Sequence, residues 1–454
     1  MKVFLRTVVF VGLLTTQLAL GAEYSATPAD YLRALPNLKP GDSLRLAPGL
    51  YARGLRIRAM HGEPGRPIVI TGPTSGEPAV LVAVAGANTV SISDSSYIEI
   101  RNLRLEGLGL PVDGVRAEAH SRFAHHITIE NLVLVGYGHD QQNVAISTQC
   151  AAWNWIIRGN VIVGAGTGMY LGGSDGGVPF IGGLIEHNVI VDTLGYNVQI
   201  KHQKERAAVD GMPTSPSRTI VRHNVFSKAN NASATSFARP NLLVGHFPPR
   251  GPGADDEYAI YGNFFYQNPT EALFQGEGNV AFYGNVLVNT AGIAIAIQPH
   301  NDRPKRLRIF HNTILARDSG VRFQGADDAF RQFVARNAIF AAQPLFGRDD
   351  GGNLVGSQEA AARYLAAPGA APGAGLDVSW RSGSGKASGP TLDVSDLPDS
   401  KRDFEGRERA VGDVGAYASG AARPVWPLQL KRKPAQITGP AGPEASLKVP
   451  ASGR

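Results

Sequence analysis

One cysteine, Cys150, stands in 454 residues, so no intramolecular disulfide can form. Stability must come from burial and backbone hydrogen bonding, and the cysteine closing "AISTQC" reads as a small core residue rather than a catalytic thiol. Charge is sparse too, with Asp, Glu, Lys and Arg making up 18% of the chain. The net +6 is not spread over a surface. Residues 422–454 hold Arg423, Lys431, Arg432, Lys433, Lys448 and Arg454 against Glu444 alone, which leaves the body nearly neutral. A basic tail of this kind excludes no fold and implies no nucleic-acid groove, so no nucleic-acid partner is expected. Long amphipathic windows of helical period are missing, and Gly at 54 and Pro at 30 argue against helical repeats.

Apolar runs are short everywhere except at the start. "MKVFLRTVVFVGLLTTQLALGAEYS" carries Lys2 and Arg6, an apolar run to Leu20, and then small residues. That is the pattern of a secretory signal over residues 1–22. The run is short for a membrane span, and no later segment is apolar enough to make one. The expectation is an exported protein, secreted or periplasmic, without an integral membrane segment once the signal is removed, and monomeric. Residues 23–421 form the body, with a flexible Ala/Pro/Gly stretch at 366–375, "AAPGAAPGAG". Residues 422–454 read as a Pro-rich, basic, disordered tail.

What the chain has in quantity is a repeat. Nine segments place an asparagine inside an apolar alternation, as in "ITIENLVLVG", "GLIEHNVIVD" and "LRIFHNTILA". The asparagines are Asn102, Asn131, Asn160, Asn188, Asn224, Asn263, Asn285, Asn312 and Asn337, spaced 22 to 39 residues apart. A floor near 22 with variable excess predicts a coil of short strands with loops inserted on some turns, a parallel β-solenoid. An asparagine at the same corner of each turn can stack, each amide bonding its neighbours. His187, His223 and His311 precede their asparagines and read as structural. Arg158, Glu186 and Arg222 fall in one column and read as charge pairing. Trp153 and Trp155 suit either sugar stacking or loop packing.

"PGDSLRLAPGLY", "GEPGRPIVITGPTSGEPAVL" and "DFEGRERAVGDVGAYAS" resemble the entry, first coils and closing segment of the right-handed parallel β-helix superfamily that includes pectate lyases. The nearest likeness is to its chondroitinase B and alginate lyase branch. The resemblance covers roughly residues 36–421 and implies an all-β, right-handed parallel β-helix. A fold hosts chemistry without naming it, so the site must be argued separately.

The stretch "GYNVQIKHQKER" holds the densest cationic cluster. Val198 and Ile200 read as inward, Gln199 and Lys201 as outward. Stacking successive turns gives a column Ser147, Gly172, Lys201, Gly245, Gln275, Gln298 and Gln324, with glycine on either side of the lysine. The next column pairs His202 with His246 about 5 Å apart. His202 reaches the outer face only if the strand ends there. Loops "GGSDGGVPF", "KERAAVDGMPTSPSR" and "HFPPRGPGADDEY" are expected to wall the cluster.

A cationic groove on an exported solenoid suits an acidic polysaccharide. β-Elimination of a uronate needs a base for the C5 proton, neutralisation of the carboxylate, and a proton for the leaving oxygen. A lysine whose pKa is lowered by neighbouring cations can be that base. "VQIKHQ" resembles the strand that carries the lysine base in the lyase branch, which implies that role for Lys201. His202, His246 and Arg239 would then neutralise or orient the carboxylate, and Tyr170 would donate the proton. Gln199, Gln203, Gln275, Arg250 and Ser174 are the residues expected to bind substrate. No cofactor is fixed by the sequence. Calcium is the one metal this chemistry calls on, with Asp175, Asp192, Glu205 and Asp210 nearest in sequence. A uronate C5-epimerase, a glycoside hydrolase with paired carboxylates, and a non-catalytic glycan-binding or structural β-helix stay open as alternatives.

Overall fold

Short β-branched runs separated by left-handed corners cannot bury both faces alone, and they do so by stacking. The computed structural model describes residues 21–118, 123–207, 209–300 and 302–435. Most of the signal segment (1–20) and the end of the tail (436–454) lie outside the described residues. Among the described residues, three parallel sheets of fourteen, eleven and twelve strands share the chain, and most turns give one strand to each. The turn that carries Lys201 runs Leu184–Glu186, Val189–Val191, then Val198–Ile200. The chain is an all-β parallel β-helix.

In the fourteen-stranded sheet the inward column is Ile129, Ile157, Ile185, Val221, Ile260, Phe282 and Ile309, held in register rung to rung. All are fully buried. Each such side chain contributes ~1.5–3 kcal/mol through the hydrophobic effect. Cys150 is buried in the same core, and burial pushes its thiol up to about 12, so it stays protonated packing. Trp153 and Trp155 are buried as well, and Trp155 Nε1 donates to Ala124 O at 2.8 Å. They pack loops and offer no sugar platform.

The asparagine ladder is present, with a shift. From Asn160 through Asn188, Asn224, Asn263, Asn285 and Asn312 to Asn337, each Nδ2 donates to the next Oδ1 at 2.9–3.1 Å. Asn353, which the repeat reading omitted, extends the row at 3.0 Å. Asn102 and Asn131 do not belong to it. They sit one position earlier, in the left-handed corner itself, at φ 57° and 54°. Their rung partners are Gly159, His187 and His223, while buried Leu103 and Leu132 fill the ladder slot. Asparagine tolerates that backbone, so the same residue type serves two adjacent corner positions. The predicted charge column is real and longer: Arg101, Glu130, Arg158, Glu186 and Arg222, with Arg222 on Glu186 at 2.7 Å.

The structure bears on both boundary expectations. Residues 366–375 begin inside a strand, Leu365–Ala367, that forms a two-stranded antiparallel pair with Asp377–Trp380. The tail is docked as far as residue 435. Trp426 and Leu428 are buried in a satellite core, Arg432 Nη1 donates to Asn131 Oδ1 at 2.9 Å, and Lys433 is 1% exposed. Apolar anchors among the prolines, invisible to a compositional reading, make it a strap. Among the described residues no helix is long and apolar enough to cross a membrane.

Candidate active site

Lys201 follows directly on the strand Val198–Ile200, whose inward residues Val198 and Ile200 are fully buried. Because the strand stops at Ile200, alternation stops too, and both Lys201 and His202 reach the outer face. Register places Gly172 on one side of Lys201 and Gly245 on the other. Space requires the glycine at 245, and a left-handed backbone, φ 95°, favours the one at 172. A Cβ at Gly172 would come 3.3 Å from Lys201 Cβ, and one at Gly245 would come 2.3 Å from His202 N. The site is a cleft of about 400 Å³ whose lining includes Lys201, His202, Arg239, Gln199, Glu271 and Glu277.

Among the described residues Lys201 has no ion pair; its Nζ lies 5.8 Å from the centre of the Tyr170 ring. Burial lowers its pKa from the ordinary lysine value. Desolvation is the cause here, in place of the neighbouring cations that the sequence suggested. His202 and His246 stack with ring centres 5.2 Å apart, as the rung spacing predicts. Burial lowers the His202 pKa, Lys201 and His246 add to that, and Glu277 opposes it. His246 Nδ1 lies 3.0 Å from Phe247 O, which can only accept, so Nδ1 carries the proton. Burial pushes Tyr170 up to about 12, although a hydrogen bond with Ser174 pulls the other way.

Arg239 enters from the loop between Val225–Ser227 and Leu242–Val244, with its guanidinium 5.9 Å from the Tyr196 ring centre. Its carbonyl is clamped by Lys228 Nζ at 2.8 Å and Asn268 Nδ2 at 2.9 Å. Lys228 is fully buried, and desolvation takes its pKa to about 7.

Other expected residues are placed differently. Gln203 is 1% exposed, turned inward to donate to Phe180 O at 3.0 Å and accept from Arg206 at 3.3 Å, so it cannot touch a ligand. Gln275 lines the cleft but shares the column of Gln199 and Leu243; the position beside Gly245 belongs to Glu277. Ser147 pairs with Tyr170 rather than Gly172. Ser174 is exposed on the loop that follows Leu171. Arg250 lies in a separate cleft with Arg303, Lys305 and Arg306. The two longer loops expected as walls instead meet each other, where buried Arg206 pairs with Asp256.

Sequence reasoning missed Glu271, Glu277, Tyr196, His300 and Lys228, which come from rungs or loops whose register it did not trace. Among the described residues no three His, Cys, Asp or Glu side chains converge as metal ligands. Asp192 instead accepts from Asn230 N and Nδ2, and Asp175 accepts from Gly177 N. The four acidic residues nearest in sequence do not form a calcium cage, and no chemical step below runs through one.

No protein-family model matches the sequence, and no curated protein matches it. Solved structures share the fold. The GH136 lacto-N-biosidase of Eubacterium ramulus is 13% identical over 74% of this chain and 67% of its own, with a TM-score of 0.49. The A-module of mannuronan C-5 epimerase AlgE6 from Azotobacter vinelandii is 19% identical over 70% and 89%, at 0.40. The PL6 family alginate lyase AlyGC is 14% identical over 74% of this chain and 51% of its own, at 0.43, so this chain matches about half the length of that lyase. At such identities the likeness is one of fold alone.

Proposed function

We propose that this protein is an exported polysaccharide lyase that cleaves a uronate-containing polysaccharide by β-elimination, with Lys201 as general base. The observation that carries this reading is the half-buried Lys201, without an ion pair among the described residues, between two glycines and with His202 and Arg239 in the same cleft. Desolvation raises the share of free amine at neutral pH, which is what a base needs. Arg239 and His202 supply positive charge or hydrogen-bond donors for the substrate carboxylate, which makes the C5 proton more acidic. The Lys201 amine takes that proton, the C4–O bond breaks, and a double bond forms between C4 and C5. The departing glycosidic oxygen takes a proton from Tyr170, whose phenol is held protonated by burial.

The test is the ultraviolet absorbance of unsaturated uronate when mature protein meets alginate, pectate, chondroitin, hyaluronan or glucuronan, with and without calcium. A rise with one polymer, abolished by Lys201→Ala, supports the reading. A rise that survives the substitution means another base. A flat trace on all polymers rejects the lyase, and altered uronate configuration without cleavage would indicate an epimerase.

A second reading has its own observation: Glu271 and Glu277 line the same cleft. Two carboxylates flanking a glycosidic bond are the machinery of a hydrolase. New reducing ends without absorbance, lost in Glu277→Gln, would favour it.

A further inference from the structure

The larger cleft lies elsewhere on the same sheet. It measures about 770 Å³, and its lining includes Arg56, Arg58, Arg116, Glu118, Ser91 and Gln149. These residues share two outward columns with the site already described. One runs Arg56, Ser91, Arg116, Ser147, Tyr170 and Gln199. The other begins Arg58 and Ser93, continues one residue past the paired strands through Glu118, Gln149 and Gly172, and arrives at Lys201. Successive rungs are ~4.8 Å apart, so Arg116 lies three rungs (~14 Å) and Arg56 five rungs (~24 Å) from the Lys201 rung.

We infer that this cleft is a second binding site, a distal groove in which Arg56, Arg58 and Arg116 hold the carboxylates of an acidic oligosaccharide whose other end lies at Lys201. The inference rests on the uronate-polymer reading above. Among the described residues its lining holds three guanidinium groups and one carboxylate, Glu118, which is tied into the wall: Oε1 accepts from Asn88 Nδ2 at 2.6 Å and Ser91 Oγ at 2.8 Å. Arg58 has no ion pair among the described residues and is exposed. Arg56 Nη1 contacts backbone carbonyls, Asn88 O at 2.8 Å among them, which leaves Nη2 and Nε to a ligand. Arg116 shares one nitrogen with Asp113 at 2.9 Å. A guanidinium has five N–H donors in a fork that matches a carboxylate, so each arginine keeps donors for an anion.

Between the two clefts stand Gly172, which lies between Gln149 and Lys201 in its column, and Tyr170, whose ring centre is 5.8 Å from Lys201 Nζ. A ligand touching both ends must cover several rungs. A mono- or disaccharide cannot do so; a chain of about eight sugars can.

Calorimetric titration of the mature chain carrying Lys201→Ala, which leaves ligand intact, tests this with alginate and pectate oligomers of two and eight residues. The expected result is octamer binding at least tenfold tighter than dimer binding. Adding Arg58→Glu should remove that tenfold advantage and leave dimer affinity unchanged. Arg58 makes no side-chain bond among the described residues, and an unchanged melting temperature checks the fold. Equal affinity for dimer and octamer, an octamer advantage that survives Arg58→Glu, or equal binding of an eight-residue oligonucleotide would each overturn the inference. Wild-type turnover separates the two readings. Unsaturated product without length-dependent binding removes the groove and keeps the lyase. Length-dependent binding without product keeps the groove and removes the lyase.

Discussion

Two pairs of histidines stack one rung apart, and they are nearly superimposable as pairs. His187 and His223 have ring centres 5.2 Å apart at 28°, while His202 and His246 have theirs 5.2 Å apart at 26°. The first pair occupies left-handed corners, φ 55° and 56°, beneath the docked strap. His187 Nδ1 meets Lys433 O at 2.8 Å, Lys433 Nζ reaches His223 Nδ1 at 3.3 Å, and burial drives the His223 pKa far down. The second pair follows strand ends, and His202 opens on a polar cleft. Stacking is thus what the rung repeat does to any two like residues. What distinguishes a candidate site is the missing cover: glycines on one side of the helix, a strap on the other.

The largest effect expected from breaking this contrast is on activity. His202→Ala should lower kcat/KM by ~10²–10⁴-fold with an unchanged melting temperature. His223→Ala should leave kcat/KM within about twofold while lowering the melting temperature. Reversal of those outcomes would assign the chemistry to the wrong pair. The pH profile sharpens the assignment. A Lys201 base gives a rising limb below the ordinary lysine value of ~10.4, because the free amine is the active form. With Tyr170 as acid, the falling limb lies near about 12. A falling limb below pH 6.5 would make a histidine the donor instead.

Next in size is removal of the strap. Ending the chain at residue 421 takes away buried Trp426 and Leu428, worth ~3–6 kcal/mol before the ordering entropy of the segment offsets part of it. Denaturant unfolding should show this loss, and turnover per folded molecule should stay the same. Asn224→Ala should cost ~1–3 kcal/mol by leaving buried ladder groups unpaired, again without a change in kcat. The strap also carries a pH dependence. Burial brings Lys433 down to about 7, whereas the unfolded chain titrates near ~10.4. Between those values the unfolded chain binds a proton that the folded one does not, so stability rises with pH across that window and falls toward pH 7. Lys433→Met should flatten that slope in paired melting curves.

The solenoid was legible because its repeat is written in residue types: apolar alternation, a corner, an asparagine. The ladder was misread at Asn102 and Asn131 because composition cannot separate two adjacent corner positions that both accept asparagine. Asn353 escaped because it follows Asn337 by 16 residues, below the expected turn length. Lys201 and its two glycines were read in correct register, since Val198 and Ile200 fix the alternation there. Gln203 was not, because alternation ends with the strand and the chain then folds inward onto Phe180. Glu277 was missed for a related reason: two residues of slip put Gln275 in its place, and a charged residue became an amide. The distal arginines drew no notice because Arg116 is dozens of residues from Arg56 and Arg58 and meets them only across rungs.

The ladder also has a direction. Every side-chain amide from Asn160 onward donates toward the following turn, so their dipoles align head to tail along the solenoid axis. Each bond polarises the next, as in any chain of buried hydrogen bonds. The row therefore has a negative end at Asn160 and a positive end at Asn353. Both ends are complemented: the Leu132 N–H donates to Asn160 Oδ1 at 2.9 Å, and the Asp349 carboxylate accepts from Asn353 Nδ2 at 2.7 Å. A chain with no long α-helix among its described residues has in this way acquired a helix-like axial polarity from its side chains, with a counter-charge at its positive terminus.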